Sequence, residues 1–186
     1  MPNSNVHRFM IDKYGVLEIN RAAFLKNGLV VSQTPLSDEF TAEAPCENGM
    51  WVDANKANGE IKLPSAQTAV YGIVYTTEKD YTGTHPALKN FCQVAGDYPR
   101  VGMLHEGDTF TTNVFNYEFS GDTVAEQKAE LVQKLAEGAL YVVPTVGNGA
   151  PTLTAEKPAT GAYGQVMKVY TVPAGTPGIK YVMLRV

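Results

Sequence analysis

Charge is scarce in this chain, and what there is comes unclustered. Only 18% of its 186 residues are Asp, Glu, Lys or Arg, and the 15 lysines and arginines form no basic run. Proteins that track phosphate backbones gather cations on one face, so nucleic acid is not an expected partner. Cysteine is nearly missing. Cys46 and Cys92 are too few for a disulfide framework, and both are expected as free thiols. Long apolar runs are missing as well. The longest, such as Ala139 to Val143, have strand length, far short of the ~20 residues a membrane helix needs. The start, Met1 to Arg8, has no apolar stretch of the kind a secretory leader carries, so synthesis in the cytoplasm is expected. No Asn-x-Ser/Thr acceptor occurs. There is no Gly-x-Ser-x-Gly elbow, no phosphate-binding glycine loop and no dinucleotide fingerprint, and no cofactor is expected.

What the chain does have is one passage written twice. Gly49-Met50-Trp51-Val52, Asn58-Gly59, Leu63 and Tyr71-Gly72-Ile73-Val74 are echoed by Gly138-Ala139-Leu140-Tyr141, Asn148-Gly149, Leu153 and Tyr163-Gly164-Gln165-Val166. The offset is 89 residues at the first glycine, 90 at Asn-Gly and 92 at Tyr-Gly. Drift of that size is what turns absorb, and self-similarity of this kind governs architecture. The repeated residues are punctuation and core rather than reactive groups.

Around them lie short β-rich runs separated by turn residues. Val16 to Ile19, Leu29 to Val31, Met50 to Val52, Ile61 to Leu63 and Ala69 to Thr77 read as strands. Asn58-Gly59 marks a hairpin turn, since both residues tolerate positive φ. The glycine of each Tyr-Gly marks a bulge or a close backbone approach. Ala87 to Val94 reads as a short helical turn. Val101 to Leu104 and Asp108 to Thr112 read as a hairpin closed by Glu106-Gly107. Leu140 to Val143, Thr152-Leu153, Gln165 to Val172 and Lys180 to Val186 complete the set, with Pro173, Gly175, Pro177 and Gly178 as a rigid turn.

One helix is expected, over about 123–137. Thr123-x-x-Glu126 is a capping box, and Val124, Lys128, Leu131, Val132 and Leu135 fall on one face. Gly138 is placed to end it in the left-handed conformation. The fold class is therefore mainly β, sandwich or barrel-like, with an internal duplication of a β unit and one amphipathic helix. The expected organisation is an extended N-terminal arm over 1–14, a first β unit over 15–78, a connector over 79–100, and a second β unit with the helix over 101–186. The arm carries Val6, Phe9, Met10 and Ile11, apolar residues that call for a partner surface.

Candidate chemistry is thin. His105-Glu106-Gly107-Asp108 holds two carboxylates able in principle to do acid/base work, yet the same string makes a good hairpin turn. Asp53 to Glu60 imitates a calcium loop but misplaces its ligands by one residue and inserts Lys56. Cys46, Cys92, His7, His85 and His105 show no metal-ligand spacing, so no metal is expected. Trp51, Tyr71, Tyr75, Tyr141, Tyr163 and Tyr170 are enough aromatics for a carbohydrate platform, or for ordinary core packing.

A Gly-apolar-aromatic strand, an Asn-Gly turn, a Leu strand and a small-x-Gly-apolar strand run through Gly49 to Val74 and again through Gly138 to Val169. That pattern resembles the β core of head-decoration (cement) proteins of tailed bacteriophages, the lambda-type group, over about a third of the chain. The resemblance implies a non-enzymatic virion protein on the outer capsid surface, trimeric, with the major capsid protein and its own copies as partners. On that reading Val6, Phe9, Met10 and Ile11 contact neighbouring subunits, with neither nucleic acid nor membrane involved. The first alternative is a binding module, such as a head fibre, a tail component or a carbohydrate-binding β domain, with aromatics lining a groove. The second is a hydrolase using Glu106 and Asp108.

Overall fold

The computed structural model describes residues 14–18, 22–24, 30–31, 34–76, 91–171 and 177–186. Among these it contains nine strands and one α-helix: β1 (Val30–Val31), β2 (Trp51–Asp53), β3 (Tyr71–Val74), β4 (Val101–Met103), β5 (Thr109–Thr112), α1 (Val124–Glu137), β6 (Tyr141–Thr145), β7 (Asn148–Thr154), β8 (Tyr163–Thr171) and β9 (Pro177–Arg185). They form two antiparallel sheets, β1-β4-β3-β2 and β5-β9-β8-β6-β7. Lys62 bridges Asp53 at the outer edge of β2, and Leu17 and Ala23 bridge Thr112 and Thr109 at the outer edge of β5.

With Lys62 counted, both sheets have the same order. The first strand in the chain lies beside the last, then come the penultimate, the second and the third. The registers correspond too. Asp53 pairs with Lys62, and Val143 with Thr152. Val52 pairs with Gly72, and Val142 with Gly164. Gly72 pairs with Met103, and Gly164 with Met183.

Both Tyr-Gly glycines sit where a strand needs room. A Cβ on Gly72 would strike Val101 and Ala54; one on Gly164 would come within 2.8 Å of the Val182 carbonyl. Close approach therefore accounts for both residues, and a register shift at Tyr163/Gly164 adds a bulge in the second. The other repeated glycines do different jobs. Gly49 turns at φ 99°, whereas Gly138 ends α1 in extended backbone at φ 177°. The left-handed cap expected at Gly138 is thus not formed; its N–H still bonds the Lys134 carbonyl at 3.1 Å. Likewise Asn58-Gly59 closes a 3-10 turn, while Asn148-Gly149 begins β7 and Gly147 carries the positive φ.

Alternation along the strands decides which residues meet. Trp51 and Ile73 face the second sheet, where Phe110, Val142, Val166, Ile179, Tyr181 and Met183 complete the inter-sheet core. Val52, Val74 and Val101 face the other way, under Leu36, Phe40, Cys46, Met50 and Val114. Strands β2, β3 and β4 are thus packed on both faces. The second leaves Met167, Leu184 and Val186 exposed.

The expected β4–β5 hairpin does not form. β4 is already flanked by β1 and β3, so the Glu106-Gly107 turn carries the chain from one sheet to the other. Pro177 and Gly178 belong to β9 rather than to a turn, while Pro173 and Gly175 lie outside the described residues. Of the helical turn expected over Ala87 to Val94 only residues 91–94 are described, and they form no helix, with Gln93 bridging Cys46.

α1 obeys its capping box. Glu126 Oε2 accepts from the Thr123 N–H at 2.9 Å, and Thr123 Oγ1 accepts from the Glu126 N–H at 3.3 Å. The face it buries is the expected one at Val124, Leu131 and Leu135 but turns away from Lys128 and Val132. Gln127 and Leu131 are buried and Leu135 packs on the core, whereas Val132 and Lys128 point to solvent. Gln127 is held inward because its amide donates to the Gly121 carbonyl at 3.1 Å.

The cap is testable by acid titration. The Thr123 hydroxyl, and then its backbone N–H, bond the Glu126 carboxylate and hold its pKa below the usual value. A lowered folded pKa contributes stability above the unfolded glutamate value, and that contribution is lost as pH falls through the folded one. An NMR titration should therefore give Glu126 a low midpoint that Thr123→Ala returns toward the ordinary range. Equal midpoints in both proteins would contradict the box.

Candidate functional site

Val6, Phe9, Met10 and Ile11 lie outside the described residues, as do His7 and His85. The first described residues of the chain, 14–18, are firmly held. The Gly15 N–H donates to the carboxylate of Glu47, which is fully buried. The Val16 N–H donates to Asn113 Oδ1 at 2.7 Å, and Thr112 Oγ1 donates to the Val16 carbonyl at 2.9 Å. Beside them a hydrogen bond to Cys92, reinforced by burial, raises the Tyr14 phenol to about 12. Cys46 and Cys92 are both free thiols, and burial pushes each of them up. Neither is activated as a nucleophile would be.

The two carboxylates of the hydrolase reading have different fates. Asp108 is fully buried and its Oδ2 accepts the His105 N–H at 2.9 Å, closing the turn, while Glu106 at the turn tip is exposed. The calcium-like stretch is built around Asp53. Its Oδ1 takes the Asn55 N–H at 3.0 Å and its Oδ2 the Thr68 hydroxyl at 3.1 Å, which shapes an Asx turn. Among the described residues no group of three or more His, Cys, Asp or Glu is placed to hold a metal.

The aromatic candidates do not make one platform. Trp51 is fully buried, and its Nε1–H donates to the Tyr181 hydroxyl at 2.9 Å. Burial pushes the Tyr181 phenol well above its ordinary value. Tyr71 packs at 6.2 Å from the Trp51 ring, and Tyr163 is buried under Arg185, whose guanidinium lies 4.7 Å from the ring. A sugar platform centred on Trp51 is therefore ruled out by its place in the core.

The described residues form an open groove with a volume of about 490 Å³. Asn116, Tyr117 and Glu118 form one wall; Thr145, Asn148, Thr152 and Leu153 of the β6–β7 hairpin form the other. Asn116 Nδ2 donates to the Ala150 carbonyl at 2.8 Å, and Asn148 Oδ1 accepts the Ala150 N–H at 2.9 Å. Those two amides brace the hairpin, and the Thr145 and Thr152 hydroxyls lie 2.7 Å apart on it. None of these residues was a candidate from the sequence, apart from Asn148 and Leu153 as members of the repeat. Glu47 gave no sequence signal either, since a buried and an exposed glutamate look alike in one dimension.

Comparison with protein families, with curated proteins and with solved structures finds no match to this chain. Among the described residues no helix is long and apolar enough to cross a membrane.

Proposed function

We propose that the chain is a non-enzymatic structural protein of the virion. It is a decoration (cement) protein, made in the host cytoplasm, that sits as a trimer on the outer capsid surface and clamps neighbouring capsid subunits. The observation that carries the reading is the anchored root of the arm. Glu47 and Asn113 hold Gly15 and Val16 against the body, so the apolar segment with Val6, Phe9, Met10 and Ile11 is joined to a fixed point. A segment attached in that way suits reaching to a neighbouring subunit. The exposed Met167, Leu184 and Val186 offer further apolar surface for such contacts. The candidate polar residues Asp53 and Asp108, by contrast, serve turns. A clamp of this kind acts by repetition, since modest contacts multiply over a lattice. The shared order and register of the two sheets are read here as the doubling of one ancestral β unit.

The reading is tested on particles with which the full chain co-purifies. Stripped shells are incubated with the full chain or with a variant lacking residues 1–13, and bound protein is measured by cosedimentation. The full chain should rebind and should run as a trimer in light scattering. The variant should keep its circular dichroism and bind more than tenfold more weakly. Equal binding by both proteins removes the role of the arm, and a full chain that neither co-purifies with nor rebinds any particle removes the function.

A further inference from the structure

The two sheets offer an internal comparison for the groove. In the first, Leu36 and Ile61 bridge in parallel and the Ser37 N–H bonds the Ile61 carbonyl at 3.0 Å. In the second, Asn116 and Thr152 bridge in parallel and the Asn116 N–H bonds the Pro151 carbonyl at 2.7 Å. Two residues beyond each of these donors stands a glutamate, Glu39 in the first half and Glu118 in the second. Glu39 is spent internally: its Oε2 accepts the Leu63 N–H at 2.9 Å and the Ser37 hydroxyl at 3.1 Å. In the second half the Leu153 N–H is taken by the Asn116 carbonyl at 3.0 Å, and the exposed Glu118 lines the open groove.

We infer that the groove between residues 116–118 and the β6–β7 hairpin binds a short neutral saccharide, with Glu118 accepting its hydroxyls. The size is right, since about 490 Å³ falls within the range of small-molecule sites. So is the chemistry. The Glu118 carboxylate accepts hydroxyl protons. The Thr145–Thr152 pair, once one hydroxyl has donated to the other, keeps a proton to give and lone pairs to receive. The half-buried Tyr117 supplies apolar surface for the C–H face of a sugar ring. Anionic ligands are opposed by Glu118 and by a net charge of −4. Cationic ones find a single carboxylate among six uncharged lining residues. A sugar groove suits a capsid-bound or a free chain alike, and its failure leaves the decoration reading untouched.

The test is an NMR titration of the full chain with glucose, galactose, mannose, N-acetylglucosamine, maltose and lactose, each taken to tens of millimolar. A lysine-rich peptide and a sulfated sugar are run beside them. At least one neutral sugar should give saturable shifts confined to residues 116–118 and 145–153. Glu118→Gln should weaken that binding about tenfold, as loss of a charged acceptor does. Thr152→Val should weaken it as well, and Glu39→Gln should leave it unchanged. Because Glu118 is exposed, its replacement leaves the core intact, and unchanged amide shifts elsewhere verify this. The proposal is overturned by silence from all six sugars, by shifts scattered outside the groove, by binding that ignores Glu118→Gln, or by response to the peptide or the sulfated sugar alone.

Discussion

Replacing Trp51 with alanine is expected to lower the unfolding free energy by about 3–5 kcal/mol, the usual cost of deleting a fully buried large aromatic. Trp51 contributes to the inter-sheet core with no exposed surface, and its ring packs 6.2 Å from those of Tyr71 and Tyr181. Alanine leaves a cavity between the sheets and strands the Tyr181 hydroxyl without its indole donor. Trp51→Phe keeps most of the apolar area and loses mainly the hydrogen bond, so a cost of about 1–2 kcal/mol is expected. Urea unfolding followed by circular dichroism measures both, since the chain has no other tryptophan to report by fluorescence. If Trp51→Ala unfolds at the same urea concentration as the parent, the two sheets are not joined through this residue.

Replacing Glu47 with alanine is expected to cost about 1–3 kcal/mol, because the buried Gly15 N–H then has no carboxylate to bond. The damage should be local. Hydrogen exchange at Gly15, Val16 and Leu17 should accelerate far more than exchange in β8 or β9. Glu47→Gln retains an acceptor oxygen and should recover most of the loss. Should Glu47→Ala instead leave the Gly15 amide protected, the root of the arm is held by other contacts. In a decoration protein the same variant should also bind its particle more weakly, since the arm would start from a loosened point.

Parts of this architecture are legible in one dimension because their causes are local. α1 starts where the Thr123-x-x-Glu126 box stands, and four residues suffice to see it. β9 shows its alternation from Lys180 onward, with Tyr181 and Met183 buried between less buried neighbours. The repeated Tyr-Gly marks β3 and β8, and the reason for the glycine is the crowding of the next strand.

Other features escape because they depend on distant residues. The β4 and β5 patterns resemble a hairpin, yet β4 is claimed by β1 and β3 and β5 by β9. Helical spacing puts Val132 on the apolar face, but Gln127 is drawn inward by the Gly121 carbonyl. Trp51 and Tyr181 stand far apart in the chain, and no periodicity announces that one donates to the other. The groove is assembled from residues 116–118 and a hairpin some thirty residues away, all of them ordinary polar types.

By itself, the order of residues determined a β-rich chain with one capped helix, free cysteines and a passage written twice. Those properties rest on composition and on neighbours within a turn or a strand. The tertiary structure alone decided which strands share a sheet, that Trp51 is core rather than surface, and that Glu39 is consumed where Glu118 stays open. Strand pairing and burial join residues far apart in the chain, and the free energy that selects one partner over another belongs to the packed whole.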